Sequence, residues 1–543
     1  MLPTDAKSLK ERGDRLFSAK VTLDRRNQEI ADHFYPERAD FTVRRDIGDD
    51  FAEHLMTGYP VMVRRDLGNA IGAMLRPKGR KWFEVRADRE EREDHEAKVW
   101  LEWASGLMRR AMYDHRSMLS RATKETDHDF SAFGGGVLMV EVNRRDVALN
   151  YKNCHLRDVA WEEDTYGLIC GVHRNWKPTV TQLCRYFPKT VHEKTRQRME
   201  KDPHGLAHVR HVVIRMDEYG DKPTWRQPWM SLYIDCENEH VLEEVGSWTR
   251  RYVIPRWATI SGSQYPYSPA TVVALPDARL IQAMTLTLLD AGERAANPPM
   301  IGVASAIRGD LNVYPGGFTA IDAEYDERLG EVLRPLVQDK SGIPYGMDMA
   351  DRLNAQIREA FYLNTLSLPP AGMSPEMTAF EAGQRVQEYI RQALPLFEPM
   401  EENYNADLCD MTFETLLREG AFGGPDMIPE QLQGSDVRFQ FESPISEAEE
   451  RQKGQQFLET KSMIAQAMEV DQSAAYAVDF STALTDALSG VGVPQKWLRD
   501  PAEIRARVAN DQAAAQAQQL LAGAQQGADV AQKLGAASEA FQR

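Results

Sequence analysis

Histidines occur beside carboxylates or near another histidine at two places, where they could bind a metal ion. Asp127, His128 and Asp129 are consecutive, and His208 and His211 are separated by two residues. Neither place has the H-E-x-x-H pattern or another spacing typical of zinc ligands. His208 and His211 would also lie on opposite faces of a strand, because successive strand residues alternate between the two faces. We therefore interpret both groups of histidines as structural.

Three consecutive glycines at residues 134–136 form another candidate site, because glycine-rich loops can hold phosphate groups. They precede a strand-like segment, and no Lys-Ser/Thr pair follows them, so they do not match a phosphate-binding loop. The acidic turn at residues 162–164 could bind a divalent cation, but exposed acidic turns are far more common. No nucleophile stands beside a base in the sequence. The sequence therefore predicts no enzymatic activity, no cofactor and no metal.

The most distinctive segment is a stiff join between two stretches of helical composition. Residues 367–373 read Ser-Leu-Pro-Pro-Ala-Gly-Met and connect residues 348–366 to residues 374–420. The two prolines remove two N–H donors and the glycine permits a sharp turn, so the segment cannot extend either helix. We predict an exposed loop that acts on something passing by it. The alternative is an ordinary connector between two helices.

The first half of the chain is predicted to contain helices followed by a β-rich region. Helical periodicity predicts a surface helix over residues 9–34 and another over 59–74, which Pro77 ends. A short strand at residues 82–86 precedes charged helices at 90–114 and through Asp127. Short β-branched and aromatic runs then predict strands, with one helical insertion at 179–186. These predicted strands are residues 137–142, 147–151, 208–216 and 230–234.

Two long helices are predicted in the central third. The first opens at residues 275–277, where Pro276 suits the first helical position and Asp277 suits the helix dipole, and it ends at Ala296. The second starts near Asp348. Apolar faces on both helices predict packing within one chain, and a contact between subunits is the alternative. The faces consist of Ile281, Met284, Leu288, Ala291 and Ala295 on the first helix, and Leu353, Ile357 and Phe361 on the second.

The charge of the chain limits its possible partners. There are 65 Lys and Arg residues against 82 Asp and Glu, which gives a formal net charge of -17. This balance argues against a protein that grips nucleic acid over its whole surface, because phosphate binding requires basic side chains. It favours solubility and weak, sliding contact with DNA.

Cysteine and apolar patterns predict the compartment. The 5 cysteines are scattered without a C-x-x-C pair, which indicates synthesis in a reducing cytoplasm. The N-terminus has no basic segment followed by an apolar one, so we expect no secretion signal. We also expect no later apolar run of the roughly 18 residues that a membrane helix needs.

The tail, at residues 446–469 and 501–541, has Ala-, Gln- and Glu-rich helical composition.

Four short groups of residues follow one another in a fixed order. They are Leu75-Arg76-Pro77 with Trp82-Phe83; Pro255-Arg256-Trp257; Tyr265-Pro266-Tyr267-Ser268-Pro269 with Leu275-Pro276-Asp277; and Met377-Thr378-Ala379-Phe380-Glu381 with Arg385. In this order they resemble the head-to-tail connector, or portal, proteins of short-tailed bacteriophages, and the resemblance covers residues 9–420. The family commonly has Tyr-Gly-x-Ser-Pro where this chain has Tyr-Pro-Tyr-Ser-Pro, so the glycine of that turn is missing here.

The resemblance implies an α+β, mainly helical portal fold that assembles as a ring, normally a dodecamer. Two stem helices would line a channel, and a β-rich wing would face outward. By this resemblance the segments are a wing at residues 1–274, a first stem helix at 275–296, a clip at 297–346, a second stem helix at 347–366, a channel loop at 367–374, a kinked wing helix and return at 375–445, and a helical crown or barrel at 446–543.

The resemblance also implies a function. The ring would occupy one capsid vertex, where a separate terminase motor packages double-stranded DNA through it and the DNA is later ejected. The implied partners are further copies of the chain, DNA, the terminase large subunit, tail adaptor and tail proteins, and capsid and scaffolding proteins, with no membrane. The protein would reside in the virion, and in the host cytoplasm during assembly.

Expected DNA contacts lie on the loop and the stem helices. The loop contacts would be Leu368, Pro369, Pro370, Ala371, Gly372 and Met373. Arg294, Arg352 and Arg358 could contact phosphates in the channel. Alternatively, these arginines pair with nearby carboxylates on solvated helices.

Two other functions stay open on the residues alone. One is a cytosolic helical scaffold that assembles through its Ala- and Gln-rich tail without a DNA channel. The other is a metal-dependent nuclease whose carboxylates converge only in the folded chain. Closed rings with a central hole would favour the portal, and metal-dependent DNA cleavage would favour the nuclease.

Overall fold

The computed structural model of the protein describes residues 5–46, 48–89, 94–143, 148–217, 226–302, 333–335, 342–366, 400–434, 436–441 and 457–466, with residue 307 and a few residues between 483 and 510. The chain divides into two compact units. Unit 1 consists of Met1–Arg80 and Arg109–Glu419, and unit 2 consists of Lys81–Met108 and Gly420–Arg543. Helices and strands occur together, as the α+β prediction requires.

Unit 1 begins with two helices where one was predicted over residues 9–34. Helix α1 is Ala6–Ala19 and helix α2 is Val21–Phe34. The break falls at Lys20, whose Nζ turns inward and donates to the carbonyl oxygens of Leu156 at 2.5 Å and Val159 at 2.9 Å. Burial lowers the pKa of this lysine to about 8. These partners lie far along the sequence, so local periodicity could not predict the break.

Helices α2, α3 and α5 pack against one another. Helix α3, Tyr59–Leu75, confirms the helix predicted over residues 59–74. Helix α5, Leu119–Phe133, extends past the predicted end at Asp127 and stops at Gly134, which has a positive φ of 76°. A left-handed glycine is a common helix terminus because it has no Cβ to clash.

Two antiparallel sheets follow α5. The three-stranded sheet has the order β3-β2-β9, and the five-stranded sheet has the order β4-β5-β6-β7-β8. The first contains β2 (Leu138–Asn143), β3 (Ala148–Asn153) and β9 (Tyr252–Val253). The second contains β4 (Val159–Glu163), β5 (Ile169–Trp176), β6 (Val209–Arg215), β7 (Trp229–Asp235) and β8 (His240–Ser247). The predicted strands correspond to β2, β3, β6 and β7, whereas β4, β5, β8 and β9 were missed.

Helices cover both faces of the five-stranded sheet. Leu9 of α1 packs in one buried cluster with Val212 and Leu232 of the sheet. Helix α6, Val180–Tyr186, and helix α7, Glu193–Lys201, lie between β5 and β6 in sequence. The α6 side chains pack with Val209 and Tyr233, which alternate with the residues of the first cluster. Helix α6 confirms the predicted helical insertion.

Unit 2 is built around a two-stranded sheet and helix α4. Strand β1, Phe83–Ala87, pairs antiparallel with β12, Val437–Phe441. Most of α4, His95–Met112, belongs to this unit, and Ser105 Oγ of α4 accepts a 2.9 Å hydrogen bond from the Val85 N–H. Residues 457–466 form a further helix.

Several predicted segments lie outside the described residues. They include the whole loop from Leu368 to Met373, most of residues 297–346, the first part (residues 374–399) of the helical stretch predicted over residues 374–420, and most of the tail. The described chain resumes at Met400 with a π-helical turn, Glu401–Asn405, and continues as helix α11, Ala406–Arg418.

Candidate functional site: the paired helices and their base

Unit 1 contains two long helices that lie side by side. Helix α8 is Pro269–Ala296 and helix α9 is Gly342–Ala360, with the short helix α10, Leu363–Leu366, after it. Strands β10 (Met300–Gly302) and β11 (Leu333–Pro335) pair antiparallel directly after α8 and before α9. The chain therefore runs out along α8, through a strand pair, and back along α9.

The contact between the two helices is close. Gly346 lies against Leu288, since a Cβ built on Gly346 would be 2.7 Å from Leu288 Cδ2. Ile281 on α8 and Ile357 on α9 are buried, at 2% and 0% exposure. The apolar faces predicted for the two helices therefore point into unit 1, which confirms the packing interpretation for these side chains.

Helix α8 begins earlier than predicted. Its N-cap is Ser268, whose Oγ accepts a 3.4 Å hydrogen bond from the Thr271 N–H, and Pro269 occupies the first turn. Pro276, predicted at the first helical position, lies inside the helix instead. That prediction was wrong because the Ser-Pro pair at residues 268–269 is an equally good start signal and also has tertiary support. The predicted end at Ala296 is confirmed.

Tertiary hydrogen bonds fix the start of α8 on the end of α5. Ser268 Oγ donates to the Ser131 carbonyl oxygen at 2.8 Å, and Thr271 Oγ1 donates to that of Ala132 at 2.9 Å. All four residues are buried. Because hydroxyl hydrogen bonds are directional, these two bonds set where α8 leaves the body of unit 1.

The glycines at residues 134–136 lie at this same junction, between the end of α5 and the start of α8. A Cβ on Gly134 would lie 2.0 Å from the backbone carbon of Tyr267, and one on Gly135 would lie 2.6 Å from Pro266 Cγ. Gly134 and Gly135 thus give room for the turn at residues 265–269 to approach, whereas Gly136 lies against Thr126 of α5, where a Cβ would be 2.6 Å from Thr126 Cγ2. This packing role explains the glycine run without a phosphate.

Asp127 forms a buried ion pair beside this junction. Its carboxylate accepts a hydrogen bond from Arg76, and Arg76 Nη1 donates to Asn405 Oδ1 at 2.7 Å. The guanidinium also lies 4.4 Å from the ring centroid of Tyr404. Burial raises the pKa of Asp127 and Arg76 opposes this shift. Arg76 is therefore a structural link between the end of α3, α5 and the π-helical turn.

The next two residues of α5 also have arginine partners. His128 Nδ1 accepts a 3.0 Å hydrogen bond from Arg64, since a guanidinium can only donate. Burial lowers the pKa of His128 to about 4, so the ring is neutral at pH 7. Asp129 accepts hydrogen bonds from Arg38 at 3.0 and 2.7 Å and from Asn153 at 2.9 Å. These arginines are distant in sequence from the residues they bind, so no local sequence pattern indicated the pairs.

The other histidines and acids considered above are separated. His211 is fully buried, with Nε2 2.8 Å from Ser231 Oγ and Nδ1 bonded to the Tyr252 hydroxyl, whereas His208 is exposed. Glu163 pairs with Arg256. Across the described ranges, no group of three or more His, Cys, Asp or Glu side chains is placed to hold a metal ion.

The three arginines predicted to contact phosphate have different surroundings. Arg352 pairs with Asp348 one turn away at 2.8 Å, and both side chains are exposed. Arg358 Nε donates to Asn364 Oδ1 at 3.1 Å. Arg294 is exposed in the last turn of α8, and no ion pair connects it to the part of the chain that the structure describes. Arg352 therefore has the local carboxylate partner that the alternative interpretation expects, and its contact with phosphate stays a prediction.

Helix α8 also corrects an expectation about apolar runs. By length and composition it could cross a membrane, although such a run of 18 residues was not expected from the sequence. Only 17% of the most apolar window is buried. A single helix of this kind is weak evidence for a membrane span.

Comparison with known proteins identifies the family. A sequence profile described as "Bacteriophage head to tail connecting protein" matches residues 6–498. The chain is 25% identical over 461 residues to the "Probable portal protein" of Bordetella phage BPP-1, covering 82% of this chain and 80% of that protein. It is 21% identical over 563 residues to the "Portal protein" of Salmonella phage epsilon15, covering 97% of this chain and 95% of that protein.

Solved structures give a more distant likeness. A chain of the "Virion of native gene transfer agent (GTA) particle" has a TM-score of 0.36 at 11% identity, covering 74% of this chain and 86% of that chain. The profile match, by contrast, is wider than the resemblance that the short groups of residues indicated, since it reaches beyond residue 420 into the tail. The protein belongs to the bacteriophage head-to-tail connecting protein family.

Proposed function

We propose that the protein is a portal that forms a closed ring, a dodecamer in the family's manner, at one vertex of a phage capsid. The observation that carries this proposal is the family match across residues 6–498. The path of the chain along α8, through the strand pair and back along α9 supports it. The two helices can form the wall of a channel, and the strand pair at their end can bind a partner protein. Double-stranded DNA would pass through the ring during packaging and ejection.

The segments receive roles within this proposal. Helices α8 and α9 would be the stem, and the chain between them, including the β10–β11 pair, would be the clip that meets the packaging motor and later the tail. The two sheets of unit 1 and the helices around them would form the wing. Residues 368–373 would be the channel loop, and residues 446–543 the crown.

The net charge of the chain fits a channel through which DNA slides better than a surface that binds DNA tightly. A continuous basic lining would bind phosphates and release counterions, which would stall the DNA. With a net charge of -17 per chain, a ring is strongly acidic. Arg352 is partly neutralised by Asp348, so its phosphate contact would be weak, while Arg294 is a more available cation. A few separated basic positions permit contact while the DNA slides.

The proposed partners follow from this role. They are further copies of the chain, the terminase large subunit as the separate motor, tail adaptor and tail proteins, and capsid and scaffolding proteins. The protein would assemble in the host cytoplasm and remain in the virion. We assign it no enzymatic activity and no cofactor.

Electron microscopy of the purified full chain tests the proposal. We expect closed rings with a central hole wide enough for duplex DNA to pass through. Size-exclusion chromatography with light scattering should give one mass that is an integral multiple of 61.5 kDa. Monomers or open filaments under conditions that keep the chain folded would instead favour the cytosolic scaffold.

The channel loop gives a separate prediction. Replacing Pro369 and Pro370 by glycine should leave rings intact but impair packaging or retention of DNA, because the loop loses its stiffness. Packaged DNA is measured as nuclease-resistant genome per particle, and ring formation by microscopy is the control. Normal packaging and retention in the double variant would remove this role from the loop.

A further inference from the structure

The insertion between β5 and β6 is basic, although the chain as a whole is acidic. We call residues 177–208, which contain α6 and α7, the basic insertion. It holds 7 Lys and Arg residues against 3 Asp and Glu, a formal net charge of +4, whereas the whole chain has -17. The positive charge is therefore concentrated in one short segment on one face of the five-stranded sheet.

Most of this positive charge is not neutralised. Arg198 pairs with Glu237 at 2.9 Å. Arg196 donates to the Pro188 carbonyl oxygen at 3.3 Å, which leaves its charge uncompensated. By contrast, each acid of the turn at residues 162–164 has an arginine partner. Six basic side chains of the insertion are exposed and form no ion pair with the part of the chain that the structure describes: Lys177, Arg185, Lys189, Lys194, Arg196 and Lys201.

The basic insertion is held firmly on the sheet. The buried Thr195 of α7 donates from Oγ1 to Asp235 Oδ2 at 3.0 Å, and it accepts a 3.0 Å hydrogen bond from Asn238 Nδ2. Leu183 of α6 packs in one buried cluster with Val209 of the sheet. Because both helices are fixed from below, the exposed cations stay on one rigid support and a ligand need not order them as a mobile loop.

Helix α7 separates its lysines from its acids. Lys194 and Lys201 are seven residues apart, so they lie on the same side of the helix to within about 20° and about 10 Å apart along its axis. Glu193 and Glu200 lie about 100° around the helix from these lysines. A spacing of about 10 Å corresponds to roughly three phosphates along one strand of duplex DNA, at 3.4 Å per phosphate.

The composition of the insertion fits phosphate groups better than a protein surface. Protein interfaces are enriched in aromatic residues and depleted in lysine. Four of the 7 basic residues here are lysines. The aromatic residues Tyr186 and Phe187 pack against Tyr233 rather than facing outward as anchors. Met199 and Leu206 are the large apolar side chains exposed on the described insertion. Lysines without apolar anchors act as point charges, which suits a phosphate backbone.

We propose that the basic insertion binds the phosphate backbone of duplex DNA that lies outside the channel, without reading its sequence. The inference rests on the proposed function for the presence of DNA beside the protein. Lys189, Lys194 and Lys201 would each contact a phosphate. A channel wall must let DNA slide, whereas a surface away from α8 and α9 has no such restriction. A basic insertion is therefore compatible with an acidic channel.

A covalently closed plasmid tests the inference, because a closed circle has no end that could enter a closed ring. The assembled full-length protein should retain the plasmid in filter binding, with an affinity that falls as salt rises. The triple variant Lys189→Gln, Lys194→Gln and Lys201→Gln should bind at least about tenfold more weakly at about 0.1 M salt. The slope of log K against log salt should fall by about 2 to 3. Circular dichroism melting should show unchanged folding, since only exposed side chains differ.

A second triple variant, Lys7→Gln, Lys124→Gln and Lys152→Gln, removes the same charge from exposed positions elsewhere and should bind as the unmodified protein does. Equal weakening in both triple variants would refute the inference, because only the total charge would then matter. Binding of linear but not of closed DNA would also refute it, since DNA would enter by its ends. Binding of poly-glutamate but not of plasmid would assign the insertion to an acidic protein instead.

Microscopy of the same samples separates this inference from the proposed function. Closed rings that do not bind the plasmid would overturn the role of the basic insertion and leave the proposed function intact. Folded protein that forms no rings would contradict the proposed function, whatever the plasmid result.

Discussion

An Asp127→Ala variant should lose about 3–5 kcal/mol of the free energy of unfolding of unit 1, which is the usual cost of removing one partner from a buried ion pair. The side chains of Arg76 and Asp127 are 4% and 3% exposed. Without the carboxylate, the partners that the guanidinium keeps among the residues described by the structure are the Asn405 hydrogen bond and the Tyr404 ring. Neither carries a negative charge, so the cation would be buried without compensation. Denaturant unfolding followed by tryptophan fluorescence and far-ultraviolet circular dichroism measures the loss.

A surface ion pair on α3 supplies the control. Arg65 and Asp66 lie 3.6 Å apart and are about half exposed. Solvent screens such a pair, so Asp66→Ala should cost roughly 0–1 kcal/mol. Equal losses in the two variants would contradict the structural role of the Asp127 pair. A cost near zero for Asp127→Ala would mean that the guanidinium finds another partner.

A Gly134→Ala variant should lose about 2–5 kcal/mol, from left-handed backbone strain together with overpacking. Its φ of 76° is unfavourable for alanine, and the new Cβ would fall 2.0 Å from the backbone carbon of Tyr267. Backbone cannot move aside as a flexible side chain can. The turn before Ser268 must shift, which weakens the hydroxyl bonds at the start of α8. Hydrogen exchange of the amides at residues 271–274 should therefore accelerate along with the loss of stability.

A variant at Gly167 distinguishes the two causes of the lost stability, which are left-handed backbone strain and overpacking. It has a similar φ of 78°, but a Cβ there would meet nothing within 4 Å. Gly167→Ala should therefore show only the backbone strain of about 1–2 kcal/mol, without faster exchange at the start of α8. If the two alanine variants lose the same free energy, the close approach at residues 265–269 contributes nothing.

Elements whose signals are local were predictable from the sequence. Helix α3 begins at a Tyr-Pro pair and ends where Pro77 follows Arg76, so its bounds were close to correct. Strands β6 and β7 are short runs rich in β-branched and aromatic residues and were also found. Helix α6 carries a complete capping box between Thr179 and Gln182. In each case the sequence within a few residues determines the structure.

Elements whose stability comes from distant partners were not predictable. Strand β5 includes His173 and Arg174, which look like surface residues but are buried at 0% and 9% exposure. Strand β8 has adjacent glutamates because it is an edge strand with a solvated face. The start of α8 was misplaced because Pro276 is tolerated inside a helix that tertiary hydrogen bonds secure at Ser268.

The candidate site was predicted in part. The inward faces of α8 and α9 were correct because apolar spacing at helical period is a strong signal. The roles of Arg294, Arg352, Arg358 and the loop at residues 368–373 stay predictions. The junction between Gly134, Gly135 and the turn at 265–269 joins segments more than a hundred residues apart, and neither segment alone shows that it needs the other.

The pairing of β1 with β12 has a consequence for synthesis on the ribosome. Phe83 pairs with Phe441, so β1 emerges long before its partner strand exists. At about 5–20 residues per second, the wait is roughly 20 to 70 s. During that time β1 has an unpaired edge, which is a hazard for aggregation, and its only charged side chains are Glu84 and Arg86. The β1–β12 sheet of unit 2 can form only when translation is about four-fifths complete. Nascent chains therefore need protection at β1 while residues 109–419 of unit 1, which separate the two segments of unit 2 in sequence, are synthesised and fold.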